Sequence, residues 1–574
     1  MKAKFILIPL LCALAACSGG PHRLVILSTN DIHGAVFDSS YVGSRVHPSM
    51  ISASTLIDSV RKAEGPENVL LIDAGDFLQG DNCVYYFNYV DTLTPHLCPR
   101  VFAAMGYDAV VVGNHDIEPG HAVYDRVAAQ FKKSGIPFLA ANALKENGKP
   151  YFQEYALLRK AGLKVLVLGC TNANIQAWLA PSVWEGMDFR SLLPFVQEEV
   201  DHLQRKLRPD VTVVAVHSGT GDGSGRQIES QGLDLLNSLE GMDVLICAHD
   251  HRHYVEVREN SCLINSGSRM RYVARAVVEG TGRHARKERK FTADLIRVDV
   301  HQPDTALRAA FRADFEAVRA FTLRPVATLD QTIYTRDAFR GQCPYMDLIH
   351  TVQLRASGAE ISIAAPLAFD KTIRAGQLLF NDMFALYSYE NTLYTLSMSG
   401  EELQNYLEYS YGQWIGGKDG HVLDILPRDD PRAGIRGWSF RNRSYNFDSA
   451  AGIRYSVDVT RLKGARVKIE SMADGSPFDP KRQYRVAMNS YRASSGSFLR
   501  ASGLEATPEA VEARILNKQE EVRTLIYRVL KEEGEVTSAY YSNPQVVGSW
   551  RFMPASAQKA VEKDFKLIFP KAKI

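Results

Sequence analysis

The sequence predicts an α/β fold with more than one domain. Its 574 residues exceed one typical domain, and 45% of them are hydrophobic, as in globular proteins. In the first half, short apolar runs without strict polar alternation are separated by helical patterns such as LPFVQEEVDHLQRKLRP. Apolar runs of this kind are typical of strands covered on both faces, so we expect an α/β sandwich.

The first element is a targeting segment, predicted at residues 1–16. Lys2 and Lys4 precede the apolar run FILIPLLCALAA, which is too short to span a bilayer comfortably. The run ends in LAAC followed by Ser-Gly-Gly, which resembles a bacterial lipobox and implies lipid modification of Cys17. The alternative is an ordinary secretory signal. Either case predicts export. The lipobox also predicts that the lipid holds the protein on a bacterial membrane, in the periplasm or at the cell surface.

Charge and cysteine usage narrow the partners and the kind of metal site. The 67 basic and 65 acidic residues nearly balance, which argues against binding of a nucleic-acid polymer. Export permits disulfides, and Cys83 and Cys98 flank a loop-like stretch and could pair. Cys170 and Cys247 lie at strand ends and are expected to be buried free thiols. The absence of CxxC spacing in the sequence argues against thiolate metal sites.

Five strands of the first half end in polar residues that can bind metals. The segments are RLVILSTNDIHG with Asp31 and His33, NVLLIDAGDFLQG with Asp76, DAVVVGNHDIEPG with Asn114, His115 and Glu118, DVTVVAVHSGTG with His217, and MDVLICAHDHRH with His249 and His251. Ligands of open α/β sheets gather at the carboxyl ends of strands. A single histidine at a strand end is usually structural, but five such ends together are hard to explain in that way.

The residue types indicate a hydrolytic centre with two divalent ions. Carboxylate, amide and imidazole ligands suit zinc, manganese or iron, and a carboxylate is able to bridge two ions. Two ions about 3.5–4 Å apart activate water and hold the oxygens of a displacement at phosphorus.

These motifs, in this order, resemble those of the calcineurin-like metallophosphoesterase superfamily. The segments TNDIHG, GDFLQG, GNHD, HSGTG and AHDHRH are similar to the branch of 5′-nucleotidases and 2′,3′-cyclic-nucleotide 2′-phosphodiesterases. The resemblance covers nearly the whole chain after the targeting segment. It implies a four-layer β-sandwich flanked by helices at residues 17–300, and a C-terminal α/β nucleotide-binding domain at residues 326–574.

The resemblance also assigns roles to the residues at the strand ends. It places Asp31, His33 and His251 on one ion and Asn114, His217 and His249 on the other, with Asp76 bridging. It makes His115 a catalytic histidine that faces the phosphoryl oxygens or the leaving group. The third residue after that histidine orients its ring in the family, where it is Asp or Asn. Glu118 stands there in this chain and departs from the family's pattern, and we expect it to orient the same ring.

The second half begins with an amphipathic segment, predicted as a linker helix at residues 301–325. Leu307, Phe311, Phe315 and Val318 share one face of it. In the family, the following domain holds the nucleobase between two aromatic rings, and by position these rings would be Tyr389 and Phe498. The alternative is that either ring is part of the hydrophobic core.

The segments SIAAPLAF and NSYRASSGSF resemble the cyclic phosphodiesterases more than the 5′-nucleotidases. We therefore expect a dimetal hydrolase that acts on 2′,3′-cyclic nucleotides and 3′-nucleotides as small-molecule substrates. One alternative is a 5′-nucleotidase or UDP-sugar hydrolase. Another, of a different class, is a surface nucleotide-binding or adhesion protein without catalysis.

Overall fold

The computed structural model describes residues 22–43, 45–179, 181–280, 288–389, 391–416, 420–428, 437–494 and 496–570. The targeting segment predicted at residues 1–16 and the lipidation site predicted at Cys17 lie outside these residues. Among the described residues, no helix combines the length and the apolar character needed to cross a membrane.

The first half of the chain forms two six-stranded mixed sheets. The first sheet contains β1 (His22–Thr29), β2 (Val69–Asp73), β3 (Ala109–Val111), β4 (Phe138–Leu139), β13 (Tyr272–Gly280) and β14 (Lys290–Arg297), in the order β14–β13–β1–β2–β3–β4. The second contains β6 (Tyr155–Lys160), β7 (Leu163–Cys170), β9 (Val211–Val216), β10 (Val244–Ile246), β11 (His253–Val257) and β12 (Cys262–Ser266), in the order β11–β12–β10–β9–β7–β6. A short pair joins β5 (Ala143–Leu144) to β8 (Asp188–Phe189).

Helices cover the outer faces of both sheets. They are α1 (Met50–Glu64), α2 (Asn82–Tyr85), α3 (Leu97–Met105), α4 (Asn114–Ile117), α5 (His121–Ser134), α6 (Ile175–Trp178), α7 (Pro181–Trp184), α8 (Leu192–Leu207) and α9 (Gly232–Ser238). On β1, Leu24 and Ile26 pack between the sheets, whereas Val25 and Leu27 pack outward in the core that includes α1, α3 and α5. Helices α8 and α9 cover the second sheet in the same way. The α/β sandwich predicted from the apolar runs is therefore confirmed, with the four layers that the family resemblance implies.

The connection between the halves differs from the single helix expected. It consists of α10 (Thr305–Ala310) and α11 (Arg312–Thr322), which break at Phe311. Asp304 caps α10 by accepting the backbone N–H groups of Ala306 and Leu307. The apolar face itself is as predicted, since Leu307, Phe311 and Val318 are buried in the core of the first domain.

The second half contains several smaller sheets. The central one holds β17 (Ile361–Ala364), β20 (Thr392–Ser399), β23 (Ser449–Ala451), β26 (Gln483–Asn489) and β27 (Ile515–Glu521), in the order β23–β17–β26–β20–β27. Two three-stranded sheets contain β15 (Pro325–Leu329), β19 (Gly376–Leu379) and β28 (Glu535–Val536), and β24 (Ile453–Asp458), β25 (Val467–Met472) and β29 (Gly548–Met553). Two pairs join β16 (Ile333–Tyr334) to β18 (Thr372–Ile373), and β21 (Ile425–Pro427) to β22 (Trp438–Phe440).

The helices of this half are α12 (Pro344–Ser357), α13 (Phe380–Leu386), α14 (Gly400–Trp414), α15 (Ser490–Ser494), α16 (Gly496–Ser502), α17 (Pro508–Glu512), α18 (Val522–Glu533), α19 (Ser538–Tyr541) and α20 (Ala555–Ile568). Helix α14 begins with a reciprocal cap. The hydroxyl of Ser399 accepts the N–H of Glu402 at 3.1 Å, and the carboxylate of Glu402 accepts the N–H of Ser399 at 2.7 Å.

The two domains share a hydrophobic contact. Tyr85 of α2 is buried in a core that otherwise belongs to the second domain, where its ring stacks 6.2 Å from that of Phe321 on α11. Phe380 lies 5.5 Å from the same tyrosine ring. This contact fixes the side on which the second domain faces the strand ends of the first.

The described cysteines are all buried free thiols. Cys83 donates a hydrogen bond to the carbonyl of Gly34 at 3.2 Å, and Cys98 is not bonded to it. The possible disulfide between Cys83 and Cys98 is thus absent, whereas the expectation for Cys170 and Cys247 is confirmed.

Candidate active site

The structure brings the polar strand ends of both sheets together. Two groups form, one of Asp31, His33 and His251 and one of Asp76, His217 and His249, and within each group the candidate ligand atoms lie within 4.8 Å of one another. Oδ1 of Asn114 lies 2.9 Å from Nδ1 of His249, which adds the amide to the second group. The division matches the one that the family resemblance implies, although binding of ions by these residues stays a prediction.

Hydrogen bonds at Nδ1 determine which ring nitrogen His33 and His217 turn toward the centre of the site. Nδ1 of His33 donates to the amide oxygen of Gln79 at 3.1 Å, and Nδ1 of His217 donates to the carbonyl of Ala74 at 2.7 Å. Both rings therefore turn Nε2 toward the centre, the nitrogen that binds a metal once it has lost its proton. Nε2 of His33 lies 3.0 Å from Nε2 of His251.

Buried polar atoms in the two groups lack hydrogen-bond partners. Oδ1 of Asp31 and Nε2 of His217 are both buried without one, although the latter lies 3.0 Å from Oδ2 of Asp76. The distance is short, but the alignment is not that of a hydrogen bond. An unsatisfied buried polar atom costs about 1–3 kcal/mol, so this arrangement calls for a cation. The donor set of carboxylate, imidazole and amide fits two divalent ions.

Burial and charge set the protonation of the two histidines. Burial lowers the pKa of His33 to about 3, so its ring is neutral at physiological pH. Burial acts in the same direction on His217, but the adjacent carboxylate of Asp76 outweighs it and the pKa of His217 rises to about 9. Nε2 of His217 in the second group therefore carries either a proton or a metal cation.

Asp116 ties two of the strand-end loops together. Its buried carboxylate accepts the backbone N–H groups of Asp76, Phe77 and Leu78, each at 2.9 Å, and that of Gly113 at 2.8 Å. The loop after β2 is thereby fastened to the loop after β3. This aspartate is a structural residue that holds Asp76 in place.

The loops after β2 and β3 require glycine where they come closest to each other. A Cβ on Gly113 would lie 2.1 Å from Oδ1 of Asp76, and a Cβ on Gly75 would lie 2.6 Å from the backbone nitrogen of Gly113. Neither position tolerates a side chain without displacing Asp76 or its loop.

Candidate ligands adopt a backbone conformation that non-glycine residues rarely take. The φ angles are 48° at Asp31, 47° at His33, 64° at Asp76, 71° at His249 and 55° at His251. Left-handed backbone of this kind costs about 1–2 kcal/mol per residue and concentrates at functional sites.

His115 lies beside the centre with its ring oriented by Glu118. Nδ1 of His115 donates to Oε2 of Glu118 at 2.5 Å, and the backbone N–H of His115 donates to Oδ1 of Asp76 at 2.8 Å. The rings of His115 and His33 are 5.4 Å apart. The longer side chain of Glu118 thus makes the contact expected of the shorter family residues, while its catalytic role stays a prediction.

The two aromatic rings predicted to bind the base differ in their surroundings. Tyr389 is half-buried, and its hydroxyl interacts electrostatically with Glu118 of the first domain, which places it beside the site. Phe498 is only 3% exposed and packs in the core, with the guanidinium of Arg492 4.0 Å from its centroid. This packing favours the alternative that Phe498 belongs to the hydrophobic core, because neither face of its ring is open to a base.

The structure brings other aromatic residues to the site. Trp178 stacks on His249 with centroids 5.1 Å apart and an interplanar angle of 14°. Tyr445 is exposed and Tyr491 half-buried, and the hydroxyls of both interact with Glu229, whose carboxylate lies 4.0 Å from Nε2 of His249. Tyr491 stands in the same segment as Phe498, but only the packing shows which ring faces outward.

Comparisons with known proteins agree with this arrangement. Residues 24–253 match the calcineurin-like phosphoesterase family, and residues 325–501 match the 5′-nucleotidase C-terminal domain. A Haemophilus influenzae protein named 2′,3′-cyclic-nucleotide 2′-phosphodiesterase/3′-nucleotidase is 22% identical, over 95% of this chain and 89% of its own length. A Vibrio parahaemolyticus 5′-nucleotidase is 24% identical over 69% of this chain and 78% of its own.

The fold is also found among solved structures. A candidate 5′-nucleotidase of Staphylococcus aureus superposes with a TM-score of 0.76 at 21% identity, covering 92% of this chain and 99% of its own. The two matched domains, in this order and on this fold, show that the chain belongs to the metal-dependent phosphoester hydrolases that join a calcineurin-like phosphoesterase domain to a 5′-nucleotidase C-terminal domain.

Proposed function

We propose that the protein hydrolyses nucleotide phosphate esters, with 2′,3′-cyclic nucleotides and 3′-nucleotides as its preferred substrates, for salvage outside the cytoplasm. The observation that carries the proposal is the pairing of two metal-ligand groups with the His115–Glu118 pair, beside tyrosines of the second domain. The relative named as a 2′,3′-cyclic-nucleotide 2′-phosphodiesterase/3′-nucleotidase aligns with 95% of the chain, which supports the positional preference.

The residues divide the chemistry between them. Two divalent ions held by the two groups would activate water and neutralise charge on the phosphoryl oxygens. His115 is placed to stabilise charge on the phosphoryl group or to protonate the leaving oxygen. Glu118 keeps the ring of His115 in one orientation and stabilises its protonated form. Asp116 maintains the position of Asp76 throughout.

The second domain supplies recognition of the nucleoside. Tyr389, Tyr445 and Tyr491 interact with one another electrostatically, and Tyr389 also interacts with Glu118 of the first domain. Stacking of a base on an aromatic ring contributes about 1–3 kcal/mol and accepts any base. The position of the base then determines which ribose phosphate reaches the metal-ligand groups.

A substrate panel with a chelator control tests the proposal. We expect kcat/KM for 2′,3′-cyclic AMP or 3′-AMP to exceed that for 5′-AMP at least tenfold, or about 1.4 kcal/mol in the barrier. Removal of metal should abolish hydrolysis of all three. A preference for 5′-AMP would contradict the positional assignment. Activity that survives complete metal removal would contradict the dimetal chemistry.

The second candidate is a 5′-nucleotidase or UDP-sugar hydrolase, which the match of residues 325–501 to the 5′-nucleotidase domain favours. The same panel, extended with a UDP-sugar, distinguishes it. A non-catalytic binding role would appear in that panel as nucleotide binding without turnover in the metal-loaded protein.

A further inference from the structure

Arg269 lies beside the metal-ligand groups on the turn between β12 and β13. Its backbone N–H donates to the carbonyl of Asp31 at 2.9 Å, and its φ of 53° is left-handed, like those of the ligands. A Cβ placed on Gly80 would lie 3.3 Å from Nη2 of Arg269 and 2.8 Å from Cβ of His33. The guanidinium therefore stands next to the first ligand group.

This guanidinium has no protein counter-charge. Within the described part of the chain, its side chain makes no ion pair or hydrogen bond, and the residue is exposed. Arg275, on the adjoining strand, pairs with Asp294 at 2.8 Å. An exposed and unpaired guanidinium beside a site for two divalent cations is available to bind an anion. The carboxylate of Glu118 is already engaged with His115.

A second arginine belongs to the other domain. Arg443 precedes the short helical turn Ser444–Asn446 that carries Tyr445, and it also lacks an ion pair within the residues described. Burial raises the pKa of Tyr389, and both Arg269 and Arg443 act on its hydroxyl in the opposite direction. Both guanidinium groups thus act on the same tyrosine, one from each domain.

We propose that Arg269, assisted by Arg443 of the second domain, forms an anion subsite that binds a second phosphate group of the substrate. The inference rests on the proposed function, in which the reacting phosphoryl group occupies the metal-ligand groups. The subsite lies outward from that point, toward the tyrosines, where the rest of a nucleotide would extend. A guanidinium fork matches two phosphate oxygens at once. The fitting substrate class is a nucleoside 3′,5′-bisphosphate.

Steady-state kinetics with adenosine 3′,5′-bisphosphate and 3′-AMP test the subsite. In the unaltered protein, kcat/KM for the bisphosphate should exceed that for 3′-AMP at least tenfold, mainly through a lower KM. Arg269→Gln should reduce this ratio at least fivefold, Arg269→Lys should retain part of it, and Arg443→Gln should also reduce it. Arg374→Gln, at an exposed arginine between β18 and β19, is the matched control and should leave the ratio unchanged.

Three outcomes would overturn the subsite: no preference for the bisphosphate, an unchanged ratio in both glutamine variants, or equal losses on both substrates. Equal losses would mean that Arg269 contacts the reacting phosphoryl group instead. The product separates this result from failure of the proposed function. Release of 5′-AMP from the bisphosphate agrees with 3′-cleavage, whereas release of 3′-AMP contradicts it and leaves the effect of Arg269 on the ratio measurable.

Discussion

Asp76 takes part in more contacts of the site than its position after a strand would indicate. Its carboxylate approaches His217 at 3.0 Å and accepts the backbone N–H of His115 at 2.8 Å, while Asp116 fixes its own backbone N–H. Asp76 thus contacts another candidate ligand and also positions the loop that carries His115. An uncharged side chain cannot replace its carboxylate in both roles. Substitution of Asp76 should therefore show whether activity depends on the bound metal.

We expect Asp76→Asn to lose at least one of two bound ions and nearly all activity, because an amide cannot bridge two cations as a carboxylate does. Metal content by mass spectrometry and turnover of 3′-AMP measure both effects. Asp250→Asn is the control, since Asp250 lies between His249 and His251 but accepts the backbone N–H of Thr220. Two bound ions and normal turnover in Asp76→Asn would contradict its assignment.

The His115–Glu118 pair gives a second prediction at this scale. His115→Ala should keep both ions and lower kcat by about 10²-fold or more, and Glu118→Gln should lower it by about tenfold or more. His121 and Asp125, a histidine–carboxylate pair 3.4 Å apart in the next helix, provide the control variant Asp125→Asn. If His115→Ala loses metal instead, that histidine is a ligand.

At the scale of elements, the sequence indicated where the ligands lie but not how the strands are divided. The five apolar runs ending in ligands became β1, β2 and β3 of one sheet and β9 and β10 of the other. An apolar run shows that a strand is covered on both faces, but it does not show which strands it pairs with. Hence the ligands were predictable, whereas their convergence from two sheets was not.

The segment MNSYRASSGSFL shows the same limit for the second domain. Phe498 on α16 packs against Tyr406 and Tyr409 of α14, while α15 carries the half-buried Tyr491 close to α6 of the first domain. Both rings lie in one short segment, and only long-range packing decides which is exposed. The sequence likewise did not predict that Trp178 lies beside His249, because the two residues are 71 positions apart in the chain.

This contrast predicts opposite effects for two aromatic variants. Tyr491→Ala should raise KM for nucleotides about tenfold and leave hydrolysis of a small aryl phosphate unchanged, since that substrate has no base to stack. Phe498→Ala should instead destabilise the second domain by about 3–5 kcal/mol and affect both substrates alike. Thermal unfolding and kinetics on both substrates distinguish the roles. A nucleotide-specific loss in Phe498→Ala would restore its assignment to the base site.

At the scale of the whole molecule, the proposed function assigns catalysis and recognition to different domains. The metal-ligand groups belong to the sandwich, and the tyrosines belong to the second domain, whose core also buries Tyr85 of the first. We propose that this two-domain unit is exported and held on a membrane only by lipid on Cys17. The folded domains then need no contact with the bilayer for activity.

Cys17→Ser should release the protein from the membrane fraction without changing its specific activity, because the lipid attaches outside the folded domains. Fractionation of cells expressing each form, with activity measured in both fractions, tests this. A silent control is Cys343→Ser, at a buried thiol of the second domain, which should keep the membrane location. Unchanged membrane association of Cys17→Ser would exclude the lipid anchor.

The left-handed backbone at the ligand residues has a consequence for heat tolerance. His251 has a φ of 55°. Its side chain is 49% exposed, so few packing contacts offset the cost of the strained backbone. Glycine accepts this conformation freely, and His251→Gly should raise the melting temperature of the metal-free protein by a few degrees while abolishing turnover. Selection for thermostability alone would therefore favour loss of this ligand, and a lower melting temperature in the variant would show that the turn is not strained.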